Sequence, residues 1–399
     1  MKKHLAHNQP ESYKWLILAI ATFTFTFVVA IPQMSMPVLF DEIASELGLN
    51  LVQIGWIWGA GSLLSILVGL GGPISDRFGT RRTIAIACLL AGITGAARGL
   101  SNSFIMLVVT TLIAGFAQWS IPMYIPKALG VWFPRKQLGM ANGVVSVGMA
   151  SGFLLGALLA ATFFSPVMGG WRNVLFLYGA VAVLFGFFWW ISKEKEDGKD
   201  QQDNQKSTYM QAIRHVMRFR NVWILSIATA GVSGCVNGML GFLPLYLRGL
   251  GWEPAAADST LASFHAVSMT FAIPIALLSD RFRNRQGFLM TAVLLIGMGT
   301  ALLGLTSGVL ISLAVLLAGI SRDGFMALTM TSIIEEKGIG SRFAGTAIGL
   351  NISLMGIAGV FAPPIGNGLA KLGPGLPFIF WGSLGLLGFG GYFFMQDPG

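Results

Sequence analysis

Long apolar blocks separated by short polar breaks run the length of the chain. They fall at residues 15–40, 51–74, 82–100, 104–131, 139–164, 171–192, 221–247, 258–278, 287–306, 308–334, 343–370 and 376–395. About twenty apolar residues are needed for a helix to cross a hydrocarbon core of roughly 30 Å, and these blocks have that scale. One long polar segment, 193–220, divides them six and six; it contains KEKEDGKDQQDNQKS, whose charge and lack of apolar residues predict a solvated linker. The pattern predicts an all-α membrane protein of twelve transmembrane helices in two six-helix bundles. The bundles span 1–192 and 221–399, joined by a cytoplasmic linker at 193–220.

Composition sharpens this. Only 11% of residues are charged and 54% are hydrophobic, whereas a soluble domain carries about 25% charged residues. Cys88 and Cys235 sit far apart inside apolar runs, with neither metal-ligand nor disulfide spacing. No metal or cofactor is expected. The polar start, Met1 to Lys14, leads into the apolar run from Trp15 without a small-residue cleavage site, so the first helix is expected to be retained.

The net charge of +9 could suggest nucleic acid, but its placement argues against that partner. With both termini in the cytoplasm, twenty of the 26 basic residues fall on cytoplasmic segments, among them Arg77, Arg81, Arg82, Arg135, Lys136, Arg281, Arg283 and Arg285. Arg98, Arg172, Arg248 and Lys371 lie at outer ends, while Lys127 and Arg322 fall within spans. Such asymmetry is the positive-inside pattern. It predicts a multi-pass protein of a bacterial-type cytoplasmic (inner) membrane, with the lipid bilayer as its surroundings and a monomer as the simplest state.

The halves repeat each other. GGPISDRFGTRR at 71–82 follows the second span and ALLSDRFRNRQ at 276–286 the eighth; LIAGFAQW at 112–119 matches LLAGISRD at 316–323. Parallel repeats of this kind place a binding site at their interface near the midplane. Gly72, Asp76, Arg77, Gly79, Arg81 and Arg82, with the weaker copy Ser279, Asp280, Arg281 and Arg283, give the chain a resemblance to the major facilitator superfamily. WFPRKQLGMANG at 132–143, GMASGFLLG at 148–156 and GGWR at 169–172 resemble its organic-anion, monocarboxylate and cyanate/nitrate-type branches. Drug/proton antiporters in that superfamily carry an Arg where this chain has Thr111, and a Gly-Pro in the fifth span. Nitrate porters carry a Gly-Asn-rich signature there. Both fifth-span signatures are absent.

Asp76 and Asp280, placed beside cations at helix ends, are expected to pair with arginines and a helix N-terminus and so latch the two bundles; Gly72, Gly79, Arg77, Arg81 and Arg281 belong to the same gate. Gly148, Gly152 and Gly156 in the fifth span, and Gly349, Gly356 and Gly359 in the eleventh, are expected to let helices approach closely.

An ionisable group inside a span costs several kcal/mol, about 2.5–3.5 on insertion scales, and needs a reason. Arg322 and Asp323 are the central pair. Arg322 cannot lose its proton and its planar fork suits an oxyanion. Pairing with the adjacent Asp323 looks awkward, because neighbours on a helix differ by about 100°. The resemblance places the first, fourth, seventh and tenth spans around the cavity, with Arg322 on the tenth. Asp323 and His265 are the candidate proton-coupling groups. Gln118, Tyr124, Asn237 and His265 are candidate substrate contacts, with Thr26 as a further donor; Phe23, Phe25 and Phe27 are expected to face lipid or packing.

The expected function is secondary active transport of a small organic anion, monocarboxylate-like, together with a proton by alternating access. The competing class is an exporter of a neutral or amphiphilic molecule. An enzyme is not expected, since no catalytic cluster or phosphate-cradling loop occurs at chemical spacing.

Overall fold

The computed structural model describes residues 12–63, 79–193 and 209–395 apart from 283 and 337, and among them the regular structure is entirely helical. In chain order the helices are α1 (Tyr13–Leu47), α2 (Leu51–Leu63), α3 (Thr80–Gly99), α4 (Phe104–Trp132), α5 (Lys136–Met168) and α6 (Trp171–Ile191). After the linker come α7 (Arg220–Gly249), α8 (Pro254–Phe282), α9 (Arg285–Leu303), α10 (Val309–Glu335), α11 (Gly340–Leu369) and α12 (Leu376–Tyr392). Among the described residues nine helices are long and apolar enough to cross a membrane, and α12 is a shorter apolar helix. The helix α2 is described only as far as Leu63, and α3 carries Arg81, Arg82 and Arg98. The expected count of twelve crossing helices is therefore not fixed by span length.

Three details depart from the sequence expectation. The first helix runs past residue 40 to Leu47, carrying Asp41, Glu42 and Glu46 beyond the apolar block before Gly48 ends it in the left-handed region. The expected continuous tenth span is broken: one helix stops at Gly319, Ile320 and Ser321 form a turn, and a fresh helix starts at Arg322. Within the described part of the linker, Tyr209–Val216 is helical and docks: the His215 ring lies 4.3 Å from that of Phe343, and a His215 ring nitrogen is 3.0 Å from the Gly338 carbonyl.

Glycine decides where helices meet. A Cβ on Gly92 of α3 would stand 2.7 Å from the Gly179 carbonyl of α6, and one on Gly382 of α12 would stand 2.7 Å from the Gly297 carbonyl of α9. The sequence repeat is thus repeated in packing. The α5 ridge behaves as expected, since Cβ atoms on Gly148, Gly152 and Gly156 would meet α1 atoms at 2.6 Å. In α11 the expectation holds for Gly359, where a Cβ would stand 3.0 Å from Ser62 Oγ, whereas a Cβ on Gly349 would meet nothing within 4 Å. Close backbone approach replaces the missing hydrophobic drive between helices in lipid.

Across the two halves of the chain, α2 packs on α11 and α5 on α8. The contacts are tight towards the end that carries Leu47 and Leu51. Gly55 and Gly59 abut Pro364 and Val360, and Asn367 Nδ2 donates to the Leu51 carbonyl at 2.8 Å. Arg248 on α7 donates to the Val38 carbonyl of α1 at 2.8 Å and to Asp258 of α8 at 2.7 Å. That end of the molecule is closed.

Candidate functional site

Between the halves lies a central cavity with two overlapping lobes, about 290 and 250 Å³. Gln33, Ser62, Trp119, Phe153, Asn237, Arg322, Met326 and Met355 line both. Local helix distortions shape it. A wide turn at Phe25–Ala30 in α1 lies just before Gln33, and Pro122 interrupts α4 beside Gln118 and Trp119. Proline removes a backbone donor and bends the helix, and such irregularity in a membrane is tolerated where it borders protein or a cavity.

Arg322 lies on the wall shared by the lobes, its side chain about one-third exposed. Although pairing between helix neighbours looked awkward, its Nη1 donates to Asp323 Oδ1. The physical reason is reach: the two Cβ atoms still diverge by the helical step, but the long arginine stem lets its terminal nitrogen swing back to the neighbouring carboxylate at the start of the helix. Asp323 also gains from the positive end of that helix, and its backbone N–H donates to Ser268 Oγ of α8 at 3.2 Å. The guanidinium is therefore partly satisfied and still open to the cavity.

The other candidates separate. Gln118 lines the first lobe. Asn237 lines both, but its Nδ2 is committed to the Gly359 carbonyl at 2.9 Å. His265 lines the second lobe, its ring tilted against that of Phe153 at 5.2 Å, and its buried Nε2 lacks a partner among the described residues. Tyr124 lies in the core of the N-terminal half and outside the lining of either lobe. Thr26 donates to the Gly148 carbonyl at 2.8 Å, a helix-to-helix bond. Phe23 and Phe27 are exposed to the surroundings, and Phe25 is packed.

A sequence model described as the Major Facilitator Superfamily matches residues 16–363. The chain belongs to that superfamily. It is a multi-pass membrane protein of a transporter family, and the family and its relatives are not enzymes. One relative is the probable nitrate/nitrite antiporter NarK1 of Thermus thermophilus, 28% identical over 71% of this chain and 64% of that one. Another is the probable sulfoacetate transporter SauU of Cupriavidus necator, 26% identical over 92% of this chain and 90% of that one. In fold, the chain is similar to a bacterial homologue of the human lysosomal transporter Spinster, with TM-score 0.79, 19% identity and 97% of each chain covered. The anion-carrying branches that the motifs resemble are thus represented among the relatives.

Of the superfamily's gate motif, Gly72, Asp76 and Arg77 lie outside the described residues. Gly79 enters α3 at φ +82°, a conformation that favours glycine, and Arg81 donates to the Ser192 carbonyl at the end of α6. In the second copy Asp280 is 3.5 Å from Arg285, which also holds Glu335, while Arg281 is exposed. These contacts stay within one half.

Of the lining residues that escaped sequence reasoning, two bear most on the cavity's chemistry. Gln33 of α1 gave no signal beyond being polar in an apolar run. Arg98 of α3 looked like one of four basic residues at outer ends, yet it is 4% exposed and lines the first lobe.

Proposed function

We propose that the protein is a secondary active transporter that carries a small organic anion together with a proton by alternating access. The observation that carries this reading is the position of Arg322 on the wall common to both lobes, where a fixed cation faces an otherwise largely apolar chamber lined by Met36, Met149, Met326 and Met355. A permanent cation inside a membrane protein calls for a counter-charge. Asp323 supplies one within the protein; a substrate carboxylate or sulfonate competing for the guanidinium would supply the other. The relative named as a probable sulfoacetate transporter supports an anionic cargo.

Proton coupling fits the same pair. A proton on Asp323 removes the internal counter-charge and leaves Arg322 to the anion; release of the proton restores the pair and expels the anion. His265, unpartnered at Nε2 beside the second lobe, is the neighbouring group able to pass a proton. The positive-inside pattern supports both termini lying on the cytoplasmic side of a bacterial inner membrane. The closed end then faces outward, and transport requires the two halves, 1–192 and 221–399 joined through 193–220, to rock apart there.

The test is anion-induced thermal shift of the purified monomer, followed by uptake in liposomes. Wild type should be stabilised by small carboxylates, and Arg322→Ala should lose that response. Stabilisation by neutral amphiphiles alone would favour the exporter class instead.

A further inference from the structure

Four basic residues fall towards the closed end, and three are accounted for. Arg172 pairs with Glu46 at 2.8 Å and donates to the Gly99 carbonyl, Arg248 pairs with Asp258, and Lys371 is exposed. Arg98 is different. Its side chain makes no hydrogen bond or ion pair among the described residues, its Nε is buried without a partner, and it lines the first lobe. Nor does it reach out to the near aqueous surface as arginines at helix ends do. Its Nη2 lies 3.7 Å from where a Cβ on Gly95 would stand, so the side chain folds back along α3 by about one turn, into the space that glycine leaves.

A guanidinium stays charged in such a place, and a buried charge without a partner is strongly destabilising. Among the described residues the lining of this lobe contains no carboxylate: its polar members are Gln33, Ser62, Thr111, Gln118, Trp58, Trp119 and Asn237 beside the two arginines. The counter-charge must arrive from outside the lining. Arg98 projects from the N-terminal half and Arg322 from the C-terminal half, and both border this one lobe.

We propose that Arg98 is a second anion-binding residue of the central cavity, and that the cargo is a small dianion, such as a dicarboxylate or sulfocarboxylate, with one end held by Arg98 and the other by Arg322. This deepens the anion-transport reading and rests on it, and it replaces the monocarboxylate expectation drawn from a single central cation. The charges also balance: two arginines with protonated Asp323 match a dianion, and loss of that proton leaves one positive charge too few to hold it.

The test uses the purified full chain, with the fluorescence of Trp58 and Trp119 as reporter. The probes are succinate and sulfoacetate as dianions and monomethyl succinate as the matched monoanion. Wild type should bind the dianions more tightly than the monoester, and Arg98→Gln should weaken dianion binding about tenfold to a hundredfold, the scale of one charged hydrogen-bonding group, while changing monoester binding little. Arg98→Lys, which keeps the charge, should keep a reduced preference and serves where the Gln variant does not fold. Equal binding of dianion and monoester by wild type overturns the proposal, as does a preference that survives in Arg98→Gln or vanishes in a folded Arg98→Lys. In those cases anion binding that disappears in Arg322→Ala leaves the transport reading standing. If none of the three probes binds wild type, both readings fall.

Discussion

Trp58 of α2 donates its indole N–H to the backbone carbonyl of Asn237 on α7 at 2.7 Å, tying the two halves of the chain together at the wall of the central cavity. The ring is seated against Gly241, where a Cβ would stand 2.4 Å from Trp58 Cδ1. The bond exists because α7 offers a bare stretch of backbone to a flat side chain from the other half. It must break whenever the closed end opens.

Trp58→Phe keeps most of the packing and removes the donor. The loss is about 1 kcal/mol, taken only from the closed arrangement. We expect faster labelling of a cysteine introduced at Phe40, which meets the Trp58 ring edge-on at 6.1 Å. Labelling at the wild-type rate would show that the bond does not help hold this end shut.

Gly55→Leu should prevent closure outright. Any Cβ there would lie 2.6 Å from Pro364 Cα, backbone against backbone, with no flexible side chain to yield. Spin-label distances between α2 and α11 at this end should lengthen in the variant, and liposome uptake should stop while the fold persists.

Arg248→Ala leaves Asp258, itself fully buried with Oδ2 lacking a partner, as an isolated buried acid. Breaking a buried pair from one side costs about 3–5 kcal/mol. A large fall in unfolding temperature is expected, partly recovered by adding Asp258→Asn. A double variant no more stable than the single one would mean that the Val38 contact, and not the charge pair, carries the stability.

Asp323→Asn should uncouple transport and retain binding. With no carboxylate to compete, Arg322 should take anions at least as tightly as in wild type, while a proton gradient should no longer drive accumulation in liposomes. Accumulation that persists places the coupling proton elsewhere.

The helices and the halves' relationship were legible because lipid imposes a blunt rule, about twenty apolar residues per crossing, and because the repeats preserve it. The α5 glycine ridge was legible because Gly148, Gly152 and Gly156, four residues apart, share one helix face. The site was only partly so. Arg322, Gln118, Asn237 and His265 could be picked out as polar groups in oil, and all four border the cavity. Tyr124 could not be separated from them, because sequence gives the depth of a residue better than its direction around a helix. Arg98 was misjudged for the converse reason: near a helix end, the same residue can rise to water or turn inward, and only the space beside Gly95 decides. The Arg322–Asp323 contact was hidden by weighing Cβ directions without the reach of the arginine stem, at the helix start that follows the Ile320–Ser321 turn.

That turn has a mechanical consequence. The charged couple is mounted on the lip of a joint, at the head of a fourteen-residue rod that follows one of eleven residues. Whatever draws the guanidinium away from its neighbour therefore pulls on the lower rod alone, so cargo arrival and the tilt of that rod share a single lever.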